Sequence, residues 1–121
     1  MNLRTTMSQI NRPFKFRAWN HRYKTMDPRY IFGYWNDSTL MIPDNVTVMQ
    51  FTGCLDKNGQ EIYEGDLVQT PHNGICAVKF GYGLFYVDNT FKSRLWDFYD
   101  GDTCHLTVVG NAYEHPELIN R

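Results

Sequence analysis

Alternation of apolar and polar positions dominates this chain and predicts strands. In PFKFRAW the alternation separates two faces of an extended chain, with Phe14, Phe16 and Ala18 on the side predicted to be buried and Lys15, Arg17 and Trp19 on the other. Further β-rich runs occur at residues 30–35, 46–51, 67–70, 75–80, 84–87 and 104–109. The run at 91–99 is ambiguous, and we also predict it to be a strand.

Glycine-containing turns separate these runs at short intervals. Asn-Gly is a strong hairpin signal because both residues tolerate positive φ, and a second Gly-Asp reversal directly precedes a strand. We interpret five residues as structural turn residues: Asp56, Asn58, Gly59, Gly65 and Asp66. Short strands with such turns predict a mainly β fold, in which N-terminal strands precede a small SH3-like barrel meander. Pro at residue 116 followed by Glu predicts one short helical turn near the C-terminus.

The length of 121 residues fits one domain. Residues 1–12 are polar and lack periodicity, which predicts a flexible extension. Residues 13–121 are then a single β domain, with N-terminal strands at 13–52 and the barrel-like meander at 61–115. A chain of this length can bury a core without a metal ion or a disulfide.

Three widely spaced cysteines do not form a disulfide framework or a zinc motif, so we expect three free thiols. Cys76 and Cys104 alternate with apolar positions and are predicted to be small core residues. The chain has no run of eighteen apolar residues and no secretory signal at its start, which predicts a protein of the cytoplasm without a membrane span.

Charge is distributed unevenly although the net charge is only -1. Residues 1–29 hold seven Lys or Arg and one Asp, a net of +6, and the remainder holds five bases and twelve acids, a net of -7. The sharpest functional indication is a basic-aromatic set in this first part: Lys15, Arg17, Trp19, Arg22, Tyr23 and Lys24. Such a set can bind single-stranded nucleic acid, or it can lie against the acidic body of its own chain, of a second copy or of another protein. We favour protein association because an acidic body repels nucleic acid.

The densest set of oxygen-rich side chains is Asp97, Asp100, Asp102 and His105. It suits calcium or magnesium if the side chains converge, but Asp-Gly-Asp is also an ordinary turn. Glu61, Glu64 and Asp66 are expected to be solvated turn charges. No set of residues indicates a catalytic site or a cofactor, so we expect a non-enzymatic binding or regulatory module.

Three segments together resemble the YopX family of small phage and prophage proteins. They are FKFRAWNHRYKTM at 14–26, MQFTGCLDKNGQEIYEGDLV at 49–68 and VVGNAYEHPEL at 108–118. One departure is Leu55, which stands where the family usually has a basic residue. The resemblance implies a mostly β fold, a phage or prophage origin and a bacterial cytoplasm, and it implies no reaction.

Overall fold

The computed structural model describes residues 14–30, 34–36 and 39–119. Within them the chain is mainly β, as predicted. The strands are β1 Phe16–Asn20, β2 Thr25–Asp27, β3 Tyr34–Asn36, β4 Thr39–Met41, β5 Val46–Leu55, β6 Glu61–Tyr63, β7 Asp66–Thr70, β8 Gly74–Gly81, β9 Leu84–Val87, β10 Tyr99–Asp100, β11 Thr103–Cys104 and β12 Thr107–Asn111. The predicted extension at 1–12 lies outside the described residues.

Two four-stranded antiparallel sheets form the body of the domain. The first has the order β2-β1-β5-β6, and the second has the order β12-β7-β8-β9. The second sheet is the predicted meander, and it curls like half of a small barrel. Strand β6 pairs with β5 and therefore belongs to the first sheet. Two small hairpins, β3–β4 and β10–β11, complete the strands of the described residues.

The main core lies on one face of the second sheet. Its buried residues are Ile62, Val68, Cys76, Val78, Val87, Leu95, Cys104 and Leu106. The predicted core positions of Cys76 and Cys104 are thus confirmed, and all three cysteines are free thiols. Burial raises the pKa of the thiols of Cys76 and Cys104. A raised pKa reduces the thiolate fraction, which fits a packing role for both side chains.

The predicted reversal at Asn58-Gly59 joins β5 to β6. Gly59 has a φ of 80°, a backbone conformation that glycine adopts without strain. Its N–H donates to the carbonyl oxygen of Asp56 at 3.0 Å. The turn assignment is confirmed.

The prediction of a strand at 91–99 is wrong. Leu95–Phe98 is a 3₁₀ helix, and only Tyr99 at the end of the run is in a strand. The Asp97 carboxylate accepts the backbone N–H of Arg94 at 3.0 Å, a local side-chain bond that competes with strand pairing. The predicted C-terminal turn is confirmed as a second 3₁₀ helix, Pro116–Leu118. No helix of the described residues is long and apolar enough to cross a membrane.

Strand β1 does not have one buried and one exposed face. Ala18 and Trp19 are adjacent in sequence and both buried, whereas Phe14, predicted to be buried, is 68% exposed. The face that carries Trp19, predicted to be exposed, is covered by a residue distant in sequence. The Trp19 ring stacks on the ring of Tyr113 from the C-terminal segment, with centroids 5.9 Å apart.

Candidate binding groove and the junction beside it

An open groove of about 690 Å³ lies between the start of β1, the end of β2 and β6. Its walls combine aromatic and aliphatic side chains with three cations and one carboxylate. The lining residues are Phe14, Lys15, Phe16, Arg17, Met26, Pro28, Arg29, Tyr30, Gln60, Glu61 and Tyr63. We call this site the β1–β6 groove. Its volume falls in the range of ordinary ligand sites.

The cations of the β1–β6 groove differ in how they are paired. Lys15 forms an ion pair with Glu61 on the opposite wall, and its ammonium also lies 5.2 Å from the centroid of the Phe51 ring. Arg29 is exposed, and no ion pair of the described residues includes its guanidinium. Arg29 therefore supplies the uncompensated positive charge of the groove.

Arg17 lies at the inner end of the groove and is largely buried, with 11% of its side chain exposed. Its Nη2 lies 2.9 Å from Oδ1 of Asp66 and donates to the carbonyl oxygen of Glu64 at 3.2 Å. The guanidinium also lies 4.8 Å from the centroid of the Tyr63 ring. Its Nε is buried and has no hydrogen-bond partner in the described part of the chain. These contacts fix Arg17 as a link from β1 to the segment at 63–66.

Asp66, the partner of Arg17, is buried and not the solvated turn charge that we expected. Its side chain is 3% exposed, and its Oδ2 accepts the backbone N–H of Tyr63 at 2.7 Å. Burial raises the pKa of this carboxyl, while the Arg17 guanidinium and the Tyr63 N–H act in the opposite direction. The sequence could not reveal the burial because the partner cation lies 49 residues earlier in the chain.

Asp56 fastens the β5–β6 hairpin to the last strand of the second sheet. Its Oδ1 accepts the backbone N–H groups of Asn58 and Gln60, both at 2.8 Å. Its Oδ2 accepts the backbone N–H of Val108 on β12 at 2.9 Å. Asp56 is 5% exposed, so these three donors replace the water that a carboxylate requires.

Gly65 is the point where the C-terminal segment meets this turn. Its φ is +88°, and a Cβ built there would lie 2.8 Å from the sulfur of buried Met49. Its carbonyl oxygen accepts the N–H of Ala112 at 2.8 Å. Neighbouring Asn111 is buried and accepts the N–H groups of Tyr113 and Glu114. We call the set of Arg17, Asp56, Gly65, Asp66 and Asn111 the junction.

The basic-aromatic set predicted from the sequence is divided by the fold. Trp19 is buried, Arg17 is held in the junction, and Lys15 is paired with Glu61. The remaining three residues occupy the exposed turn between β1 and β2: Arg22, Tyr23 and Lys24. They do not form one continuous face with the first three, and what either half binds stays a prediction.

The exposed β1–β2 turn has its own internal order. The Arg22 guanidinium lies 5.5 Å from the centroid of the Tyr23 ring. The Asn20 side chain accepts the backbone N–H groups of both residues, at 2.9 and 3.0 Å. Lys24 has a φ of 57°, which tightens the turn. A basic and aromatic tip therefore projects from the first sheet.

The acidic set at residues 97–105 does not converge on a metal site. Asp97 binds Arg94 through two side-chain contacts, at 3.1 and 3.4 Å. Across the described ranges, no group of three His, Cys, Asp or Glu side chains is arranged to hold a metal ion. Asp100 and Asp102 flank the turn between β10 and β11, which is the ordinary turn that the sequence analysis considered as the alternative.

Comparison with known proteins identifies the family. The model of the YopX protein family matches residues 31–120. The chain belongs to the YopX family. Among solved structures, protein EF1440 of Enterococcus faecalis is 24% identical, with a TM-score of 0.66 over 89% of this chain and 99% of that one. Protein yopX of Bacillus subtilis is 19% identical, with a TM-score of 0.55 over 90% of this chain and 99% of that one.

These two similarities show that this YopX-family chain shares the fold of both proteins. They assign no activity to it. No curated relative matches the sequence. Arg17, Asp56 and Asn111 lie in the three segments that resemble the family, and all three belong to the junction.

Sequence reasoning missed two features. It did not single out Arg29, whose position in the groove depends on the fold of the loop after β2. It also missed a row of exposed aromatic residues between 82 and 96, because the run at 91–99 was assigned to a strand. The clustering of Tyr82, Phe91 and Trp96 near lysines was a signal that could have indicated an exposed surface.

Proposed function

We propose that this YopX-family protein is a non-enzymatic binding module that acts through association with another protein. The β1–β6 groove is the site that receives the partner. The observation that carries the proposal is the chemistry of the groove, in which Arg29 has no carboxylate partner among residues 14–30, 34–36 and 39–119 and lies in the same lining as exposed Phe14 and the ring of Tyr63. The phage or prophage origin and the location in the bacterial cytoplasm stay predictions of the family resemblance, and a regulatory role stays a prediction of the sequence analysis.

The groove chemistry favours an extended peptide segment with apolar side chains and one carboxylate. Aromatic walls bury apolar groups, and an arginine binds a carboxylate through two parallel hydrogen bonds. The ion pair between Lys15 and Glu61 already neutralises the rest of the rim. A polyanion gains little there, because each phosphate needs its own cation.

A selection from a randomised twelve-residue peptide library tests this role. We expect the protein to enrich peptides that carry Asp or Glu among apolar residues. Arg29→Glu should abolish binding of an enriched peptide, since two carboxylates would then repel each other. Tyr23→Ser, which changes a residue that is 66% exposed in the β1–β2 turn, is the matched control and should bind normally. Failure to enrich any acidic peptide would contradict the proposal.

A second candidate is single-stranded nucleic acid binding, favoured by the exposed stack of Arg22 on Tyr23 beside Lys24. Cations that track phosphates make affinity fall steeply with salt. Titration of a short single-stranded DNA at several salt concentrations tests it. If this candidate is correct, the double change Arg22→Ala and Lys24→Ala flattens the salt dependence. Absence of salt-sensitive binding by the unmodified protein would exclude it.

Not every residue of the predicted basic set can be substituted in such binding tests. Arg17 was part of the predicted basic set, but Arg17→Ala would leave the buried carboxylate of Asp66 without its partner. A loss of binding by that variant would reflect lost folding. Arg29, Arg22 and Lys24 are exposed and avoid this ambiguity.

A further inference from the structure

Aromatic rings contact one another and two cations on the β8–β9 hairpin and the loop after it. The rings of Tyr82 and Tyr86 lie 5.9 Å apart, and the Lys92 ammonium lies 5.9 Å from the Tyr86 centroid. Tyr86 forms an antiparallel bridge with Arg94, whose guanidinium lies 5.2 Å from the Trp96 ring. We call these five residues the aromatic ladder.

The aromatic ladder has one buried ring and two exposed ones. Tyr86 is 9% exposed. The exposed rings are Tyr82 at 86% and Trp96 at 66%, together with Phe91 of the connecting loop at 80%. Side chains of this size bury about 150–250 Å² each, so together these three offer roughly 400 Å² of surface. A standard stable interface uses about 800 Å² from each partner. The three rings thus supply about half of one side of such an interface.

The charges around the ladder are balanced within the surface. Asp88 binds both Lys79 and Lys92, and Asp97 binds Arg94. A surface with cations and carboxylates side by side neither attracts a polyanion nor repels its own copy. When such a surface meets itself across a two-fold axis, each cation can approach a carboxylate of the other copy.

The outer edge of β9 is paired at its end beside these rings. Tyr86 forms the bridge to Arg94, and the N–H of Val87 donates to the carbonyl of Ser93 at 2.7 Å. A partner placed there would meet side chains and not an open strand edge. Aromatic rings suit this role because they lose little rotamer freedom when they are buried.

We propose that the aromatic ladder is the surface through which two copies of this chain form a symmetric dimer. The occupant of the surface is the same surface of a second molecule. This proposal does not depend on the β1–β6 groove, which lies on the first sheet.

Sedimentation velocity over a concentration series of the full chain tests the dimer. The mean mass should rise from 14.3 kDa toward twice that value as concentration increases. The double variant Tyr82→Ser and Trp96→Ser should remain at the monomer mass at every concentration. Tyr23→Ser removes an aromatic ring that is as exposed as Trp96 but lies on the first sheet, and it should associate like the unmodified protein.

Three results would overturn the dimer. They are an unmodified protein that stays monomeric at all concentrations, a double variant that still associates, and an equal loss of association in Tyr23→Ser. A monomer that gains mass only when short single-stranded DNA is added, and that no longer gains it in the double variant, would assign the ladder to nucleic acid and also overturn the dimer. The double variant should still bind the peptides selected on the groove, so failure of either proposal leaves the other testable.

Discussion

Lys15 and Arg17 lie two residues apart at the start of β1, and each binds a carboxylate from residues 61–66. Their surroundings differ sharply. The side chains of the Lys15–Glu61 pair are 46% and 36% exposed, whereas those of the Arg17–Asp66 pair are 11% and 3% exposed. Water screens the first pair and is excluded from the second. The same local sequence pattern therefore yields a groove wall at one position and a structural link at the next.

The same difference between buried and exposed contacts separates larger regions of the molecule. The junction fixes the turn at 64–66 and the C-terminal segment through buried hydrogen bonds with few alternatives. The groove and the aromatic ladder present side chains whose contacts are few and open to solvent. Binding surfaces on this fold are expected where substitutions are tolerated, and stability is expected to depend on the junction.

The largest expected effect comes from breaking the junction pair. Arg17→Ala should lower the free energy of unfolding by about 3–5 kcal/mol, because it leaves the Asp66 carboxylate buried and unpaired. Lys15→Ala, two residues away and exposed, is the control and should change it by less than about 1 kcal/mol. Urea unfolding of both variants measures the difference. Equal losses of unfolding free energy in the two variants would contradict the distinction between the buried junction and the exposed groove wall.

Asp56→Ala should have the next largest effect. The substitution deprives three backbone N–H groups of their acceptor, two in the hairpin turn and one on β12 of the second sheet. We expect a loss of about 2–3 kcal/mol in the free energy of unfolding. Asp56→Asn keeps one acceptor oxygen and should lose less. An unchanged urea midpoint for the alanine variant would show that the hairpin is not fastened to β12.

Alanine substitution at two glycines with similar φ angles distinguishes the cost of backbone strain from the cost of a side-chain clash. Gly59→Ala, at φ +80° with nothing within 4 Å, should cost only the strain of about 1 kcal/mol. Gly65→Ala, at φ +88°, adds a clash with the Met49 sulfur and should cost about 1–3 kcal/mol more. Thermal unfolding of both variants measures the difference. If Gly59→Ala proves the more damaging, the crowding at Gly65 is not real.

The smallest effect should appear in the pH dependence of the ladder. Hydrogen bonds from Lys79 and Lys92 lower the pKa of Asp88 below its ordinary value of 3.8. A lowered pKa in the folded state contributes stability above pH 3.8, and this contribution is lost as the pH falls through the folded-state pKa. The difference in unfolding free energy between the unmodified protein and Asp88→Asn should therefore be constant near neutral pH and shrink below pH 3.8. A difference that grows in acid would contradict the assignment.

Local patterns were enough to predict much of the fold. The Asn58-Gly59 turn, the meander at 74–87 and the C-terminal turn depend on neighbouring residues and are confirmed. The burial of both Ala18 and Trp19 was not predictable from alternation, since it depends on the distant residue Tyr113. The same limit applied to Asp66 and Asp56, whose partners lie 49 and 52 residues away.

A double-mutant cycle on the two ion pairs tests whether Arg17 and Asp66 hold the fold while Lys15 and Glu61 do not. Arg17 and Asp66 are changed to alanine singly and together, Lys15 and Glu61 are changed in the same way, and the free energy of unfolding is measured for each variant. We expect a coupling energy of about 2–3 kcal/mol for Arg17 with Asp66. We expect less than about 0.5 kcal/mol for Lys15 with Glu61. Equal coupling in the two cycles, or stronger coupling in the Lys15 cycle, would contradict the division between a junction that holds the fold and a groove that is free to bind.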